Sequence, residues 1–209
     1  MALKYRYGKF RKCDFVSIIK QTRDYVCANF GYKRKPPIFE TKLPQDVFMA
    51  FLHRGNRCAI YYDYQLFKKS FARFSFDLQQ AYAASIMAHE IRHYHQYRQI
   101  NAKKPTEPAD RVELWRKDQQ NYQLNLPSDQ SNKDYLQPIE LDASLFEYVF
   151  GAEEFGRVLI YFLADLEHLD ALEKLHVQYF GETDEQLFGD KIKNLLKTDY
   201  DKQKGESNE

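Results

Sequence analysis

The stretch from Leu78 to Ile100 constrains the fold of this chain more than any other, because it contains no Gly or Pro. An uninterrupted stretch with this residue pattern predicts a long α-helix. Three of the six histidines, His89, His93 and His95, fall within seven residues in the middle of it. The placement of the histidines, rather than their number, therefore marks this helix as a candidate functional element.

The residues His89-Glu90-Ile91-Arg92-His93 form an H-E-x-x-H motif. Residues four positions apart lie on one face of a helix, so the two imidazoles can converge on one metal ion. Glu90 follows the first histidine directly, which places its carboxylate beside the ion, where it can accept a proton from a water that Zn²⁺ has acidified. His95 lies about 240° around the helix from His89, and we expect it to be a surface histidine. The motif predicts His89 and His93 as zinc ligands and Glu90 as the general base.

A catalytic zinc takes three protein ligands and keeps one open position, so the motif requires one more ligand. Pro138 predicts the start of a second helix, from Ile139 to Phe150, and Glu140 lies in its first turn. The small residues one turn later would let this helix approach the motif closely, whereas Asp142 points about 200° away around the helix. Glu140 is therefore the predicted third ligand, with Asp142 and Glu147 as the alternatives.

An H-E-x-x-H helix followed by a helix with E-x-x-A resembles the zincin metallopeptidases whose third zinc ligand is a glutamate. The order of helix, short strands, motif helix and Pro-Ile-Glu-x-x-Ala-x-x-Phe helix is similar to the compact ImmA/IrrE-like peptidases of phages, mobile elements and bacterial regulators. This resemblance covers about residues 14–150. It implies Glu90 as general base and later proton donor, and three ligands for Zn²⁺: His89, His93 and Glu140.

The resemblance also implies a place for the substrate and reveals two departures from the family pattern. The strand Cys58–Tyr62 would be the edge strand against which an extended peptide lies. Arg92 stands between the histidines, where zincin helices usually have uncharged residues, and Ser144 stands where the family usually has an acidic residue. A partner that orients one of the zinc-binding histidines must therefore come from elsewhere in the chain.

The remaining patterns predict an α+β fold, a mainly helical zincin-like domain with a small mixed β-sheet. The predicted elements are a helix at Asp14–Phe30, a hairpin of Val47–Leu52 and Cys58–Tyr62, a short helix at Val112–Asp118 and one long amphipathic helix at Glu153–Tyr179. Pro, Asn and Gln make residues 101–136 a long polar excursion.

We expect one domain over residues 1–196, with a basic N-terminal segment at 1–35 and C-terminal helices at 152–196. A disordered tail is predicted at 197–209, because this end is charged and nearly devoid of aliphatic residues.

The formal net charge of +1 conceals an uneven distribution. Residues 1–35 hold ten Lys and Arg against two Asp, a local charge of +8, so the remainder carries −7. Such a segment could contact nucleic acid, but its cations are dispersed and no nucleic-acid-binding motif accompanies them. We therefore expect a solvated basic face paired with the acidic body, and no contact with nucleic acid.

The sequence predicts a cytoplasmic protein without a membrane span. Its N-terminus lacks the apolar region of a secretory signal, and no apolar run reaches the ~20 residues that a span needs. Cys13, Cys27 and Cys58 are odd in number and widely spaced, which favours three reduced thiols.

Together these features predict a zinc metallopeptidase, a hydrolase that cleaves a protein or peptide substrate. The alternative is a catalytically idle metal-binding or partner-binding regulatory protein of a mobile element, which docks a regulator protein. The intact Glu90 favours the enzyme, because a structural zinc site has no need of a base at that position.

Overall fold

A computed structural model of the protein describes residues 9–45, 47–121, 137–156 and 166–188. The chain divides into two compact units, Met1–Lys117 and Asp118–Glu209. The architecture is α+β and mainly helical with a small mixed sheet, so the predicted fold class is confirmed. The expectation of a single domain stays a prediction, and the predicted tail at 197–209 lies outside the described residues.

The first unit contains the motif helix and the sheet. Its elements in chain order are α1 (Lys12–Asn29), β1 (Ile38–Glu40), β2 (Met49–Arg54), β3 (Arg57–Tyr62), α2 (Tyr64–Phe71), α3 (Phe76–Ile100) and most of α4 (Ala109–Asn121). The predicted helices in α1, α3 and α4 are confirmed. Helices α3 and α4 are somewhat longer than predicted, whereas α1 begins two residues earlier and ends one residue earlier. The motif helix α3 begins before Leu78 because the side chain of Ser75 accepts a hydrogen bond from the Leu78 amide at 3.3 Å and caps it.

The three strands form one sheet in the order β1-β3-β2. Strands β2 and β3 form the predicted hairpin, whose turn contains Gly55 at a φ of 56°, a conformation that favours glycine. Strand β1 pairs with the other side of β3 in parallel. The expectation that Cys58–Tyr62 is an edge strand is therefore wrong: β3 is hydrogen-bonded on both sides, and the sheet has its edges at β1 and β2.

One face of the sheet packs against α1 and α3. Ile60 of β3 is fully buried, and the ring of Tyr62 lies 5.5 Å from the ring of Phe15 on α1. Phe51 of β2 contacts Tyr94 on α3, with ring centroids 6.0 Å apart. Burying these side chains supplies the main stabilisation of the unit and fixes α3, and with it the motif, against β2.

The second unit contains α5 (Pro138–Phe155), α6 (Leu166–Phe180) and α7 (Glu185–Phe188). Helix α5 starts at Pro138, one residue before the predicted start at Ile139, and the single helix predicted over Glu153–Tyr179 is wrong. Helix α5 continues through Phe155 and ends at Gly156, whose φ of 81° is incompatible with an α-helix. The predicted apolar stripe is confirmed within α6, where Leu169 and Leu172 are buried in the core of this unit; its earlier part lies outside the described residues.

Neither a membrane-spanning helix nor a disulfide is found among the described residues. No helix among the described residues is long and apolar enough to cross a membrane. Cys13, Cys27 and Cys58 are all free thiols, as predicted.

Candidate metal centre

The two histidines of the motif meet on one face of α3. The Nε2 atoms of His89 and His93 lie 3.0 Å apart, and both side chains are half-buried. The rings stand edge to face with centroids 4.6 Å apart. The i, i+4 spacing thus brings two nitrogen ligands to one point, as the motif predicts.

The ring of His93 is oriented by Gln96. The Nδ1 atom of His93 lies 2.8 Å from Oε1 of Gln96, which is fully buried. With the amide oxygen facing the ring, Nδ1 carries the proton and Nε2 keeps its lone pair for a metal. This is the orienting partner that Ser144 does not supply. Sequence reasoning missed it, although its position three residues after His93 on the same helix was a usable signal.

Glu140 lies in the first turn of α5, in the second unit, whereas His89 and His93 lie in the first unit. Its role as the third ligand therefore stays a prediction, with Asp142 and Glu147 as the alternatives. Asp142 is buried and accepts a hydrogen bond from the hydroxyl of Tyr179 at 2.9 Å, in keeping with the prediction that it points elsewhere.

Glu90 is buried next to His89 on α3 and is held by the sheet. Only 6% of its surface is exposed, and its Oε2 accepts a hydrogen bond from the backbone N–H of Phe51 at 2.6 Å. Phe51 lies on β2, an edge strand, so this N–H is not needed for pairing within the sheet. The edge strand that contacts the motif is therefore β2, and one of its amides binds the predicted base.

Helix α3 also contributes to a buried charged cluster centred on Glu107. The Oε1 atom of Glu107 accepts hydrogen bonds from Arg92 at 3.1 Å and His95 at 2.9 Å, and Oε2 accepts one from Arg111 at 2.8 Å. His95 is 4% exposed, so the expectation of a surface histidine is wrong. Burial alone raises the pKa of Glu107, but the hydrogen bond from His95 and the charges of Arg92 and Arg111 outweigh it and hold this pKa at about 2.

This cluster explains how a charged residue, Arg92, can be buried within the H-E-x-x-H motif of α3. The Arg92 side chain is 8% exposed, and a guanidinium buried to that degree requires a carboxylate and close contacts. Glu107 supplies the carboxylate, and Arg92 also lies over the ring of Trp115, 5.2 Å from its centroid. The charge at the centre of the motif is therefore compatible with a tightly packed helix.

Comparisons with known proteins do not extend this description. No protein-family model matches the chain, and searches of curated proteins and of solved structures find no match.

Proposed function

We propose that this protein is a zinc-dependent metallopeptidase in which His89, His93 and Glu140 bind the metal and Glu90 is the general base. The observation that carries the proposal is the combination of two converging imidazole nitrogens, 3.0 Å apart, with a buried carboxylate one residue after the first of them. Two histidines and one glutamate form a ligand set that catalytic zinc sites use.

The donor atoms fit a zinc ion. In a tetrahedral site with Zn–N distances of about 2.0–2.1 Å, two ligand nitrogens stand about 3.3 Å apart. The 3.0 Å between the Nε2 atoms is close to that separation. Three protein ligands leave the fourth position to water or substrate, as catalysis requires.

The side chains around the ion have separate roles. A zinc ion held by these residues would supply Lewis acidity, which would lower the pKa of water and polarise a peptide carbonyl. Glu90 takes the proton of the attacking water and passes it to the leaving amine nitrogen. The N–H of Phe51 fixes Glu90 through Oε2 and favours the ionised carboxylate, the form that accepts a proton. Gln96 keeps the proton of His93 on Nδ1.

The proposal is tested by replacing Glu90 with Gln, which keeps the shape of the side chain and removes the base. We expect the variant to retain the zinc content of the wild type and to lose about 10²- to 10⁴-fold in kcat/KM. Zinc is measured by mass spectrometry of the purified protein, and cleavage on a proteome-derived peptide library, since the substrate is unidentified. Glu153→Gln is the matched control, because Glu153 is exposed on α5.

The outcomes separate the enzyme from its alternative. Full cleavage by Glu90→Gln contradicts the role of Glu90. Stoichiometric zinc in the wild type without cleavage of any library peptide supports an idle metal-binding regulatory protein. A wild-type protein that binds no zinc contradicts the enzyme and leaves only a metal-free partner-binding protein.

A further inference from the structure

A second candidate site lies at the hairpin end of the sheet. A cavity of about 750 Å³ is lined by residues from three segments, 34–39, 52–61 and 94–98. Its volume lies in the range of small-molecule and cofactor sites. The zinc ligands and Glu90 do not line it, so the cavity requires a separate explanation.

The lining of this cavity is strongly cationic. It includes five basic residues and no Asp or Glu: Arg34, Lys35, Arg54, Arg57 and Arg98. Lys35 forms an ion pair with Asp24 at 3.0 Å. Within the described part of the chain, no carboxylate forms an ion pair with any of the four arginines. Four guanidinium groups around one cavity without a carboxylate create a positive potential that attracts an anion.

The outer face of the sheet adds aromatic rings to this charge. The register pairs Phe39 of β1 with Tyr61 of β3, and their ring centroids lie 5.8 Å apart. Phe39 is 50% exposed, although a phenyl ring of this size is normally buried. Arg54 and Arg57 pair across β2 and β3 at positions of the same parity as Tyr61, so they lie on the same face. The outer face thus presents two neighbouring rings beside two arginines.

We propose that this face of the sheet and its cavity bind single-stranded nucleic acid. Exposed rings that stack on bases, next to cations that contact phosphates, are the two features by which proteins bind single strands. An acidic peptide would use the arginines but would give the exposed ring of Phe39, next to the half-buried Tyr61, no partner. The basic residues are dispersed along the sequence, which predicts no contact with nucleic acid. The fold brings Arg34 of the basic segment together with Arg54, Arg57 and Arg98.

This site goes beyond the proposed peptidase function and does not depend on it. A chain without zinc-binding capacity would have the same hairpin, rings and arginines. The two proposals can therefore fail separately.

Binding is measured as the fluorescence anisotropy of a labelled oligo-dT of about 12 nucleotides, a length within the usual site size. We expect Phe39→Leu, which keeps an apolar side chain but removes the ring, to weaken binding at least about five-fold. Tyr25→Leu is the matched control, because Tyr25 is 37% exposed on α1 and does not line the cavity. A duplex of equal length and poly-glutamate should bind more weakly than oligo-dT, because neither offers unstacked bases.

The arginines are tested through the salt dependence of binding. With four phosphate contacts, the slope of log K against log salt is about −2.8 for a single strand, and Arg54→Ala with Arg57→Ala should reduce it to about −1.4. Lys68→Ala with Lys69→Ala removes the same charge from exposed positions on α2 and should leave the slope unchanged. An equal effect of both double variants would show that only the net charge matters, and would overturn the proposal.

The position of the ligand is tested with the cysteines of the chain. Cys58 lines the cavity, whereas Cys13 is exposed on α1 outside it. Bound oligo-dT should slow the alkylation of Cys58 by a maleimide and leave that of Cys13 unchanged, as measured by peptide mass spectrometry. Unprotected Cys58 at saturating oligo-dT, or the absence of binding at about 10⁻⁴ M protein and low salt, refutes the site.

Discussion

The buried charge cluster of the motif helix leads to a quantitative prediction: Glu107→Gln should destabilise the first unit by about 2–4 kcal/mol at pH 7. The substitution removes the carboxylate that accepts hydrogen bonds from Arg92, His95 and Arg111. Arg92 and His95 are only 6% and 4% exposed, so water cannot replace the lost partner. A buried cation that loses its carboxylate costs about 3–5 kcal/mol in the proteins where this has been measured.

The pKa of Glu107 gives a second route to this magnitude. A carboxyl whose pKa falls from 4.5 unfolded to about 2 folded contributes about 3 kcal/mol at neutral pH. The Glu107 side chain is 15% exposed and that of Arg111 18% exposed, so solvent screening lowers this contribution to about 2 kcal/mol. The two routes agree within their precision.

The same reasoning fixes the pH dependence. Because the folded pKa of Glu107 lies below the unfolded one, its contribution is fully present above about pH 4.5. It is lost as the pH falls toward 2, where the carboxyl is protonated in the folded state as well. The difference in stability between the wild type and Glu107→Gln should therefore shrink over this range.

The assay uses the single tryptophan of the chain. Trp115 is fully buried, and Arg92 lies over its ring, so its fluorescence reports on this cluster during unfolding in urea. Glu113→Gln is the matched control on the same helix as Trp115, because Glu113 forms an exposed ion pair with Arg116. The control should change the free energy of unfolding by less than about 1 kcal/mol. A Glu107→Gln protein as stable as the control would refute the assigned role of the cluster.

Three further predictions concern the metal centre and the second unit. Gln96→Leu should weaken zinc binding about 10- to 100-fold, because the ring of His93 loses its orienting partner; a chelator competition that gives an unchanged Kd would contradict this. Glu140→Ala should also weaken zinc binding, and zinc retained at full affinity would transfer the ligand role to Asp142 or another carboxylate. Tyr179→Phe removes a donor from the buried Asp142 and should lower stability by about 1–3 kcal/mol, measured as a lower Tm with unchanged zinc content.

The elements that the sequence predicted best are those with strong local signals. The motif helix contains no Gly or Pro, and the hairpin has a Gly-Asn turn between two β-type runs, so both were recognisable without tertiary information. The single helix predicted over Glu153–Tyr179 was wrong because the apolar periodicity of the sequence continues across Gly156, where helix α5 ends. Only the backbone reveals that this glycine has a positive φ.

The charges on the motif helix show a different limit of sequence reasoning. Arg92 and His95 looked like solvent-facing residues, because charged and polar side chains are seldom buried without partners. Their partner, Glu107, follows the end of α3 and lies in a polar segment that resembles an ordinary loop. A carboxylate placed there by the turn after Ile100 could not be assigned to them before the tertiary structure was known.

The orientation of Glu90 depends on the register of the β2–β3 hairpin. The hairpin, which the sequence predicts well, therefore bears on the proposed role of Glu90 as the general base. The turn at Gly55-Asn56 pairs Phe51 with Ile60, and the N–H of Ile60 points toward β1, where it donates to Pro37 O at 2.9 Å. Phe51 and Ile60 are therefore a pair without mutual hydrogen bonds, and the N–H of Phe51 points outward to Glu90. A register shift of one residue would turn this N–H into the sheet and remove the donor from the carboxylate. The hairpin turn, which is distant from the histidines in sequence, thus determines how the base of the H-E-x-x-H motif is held.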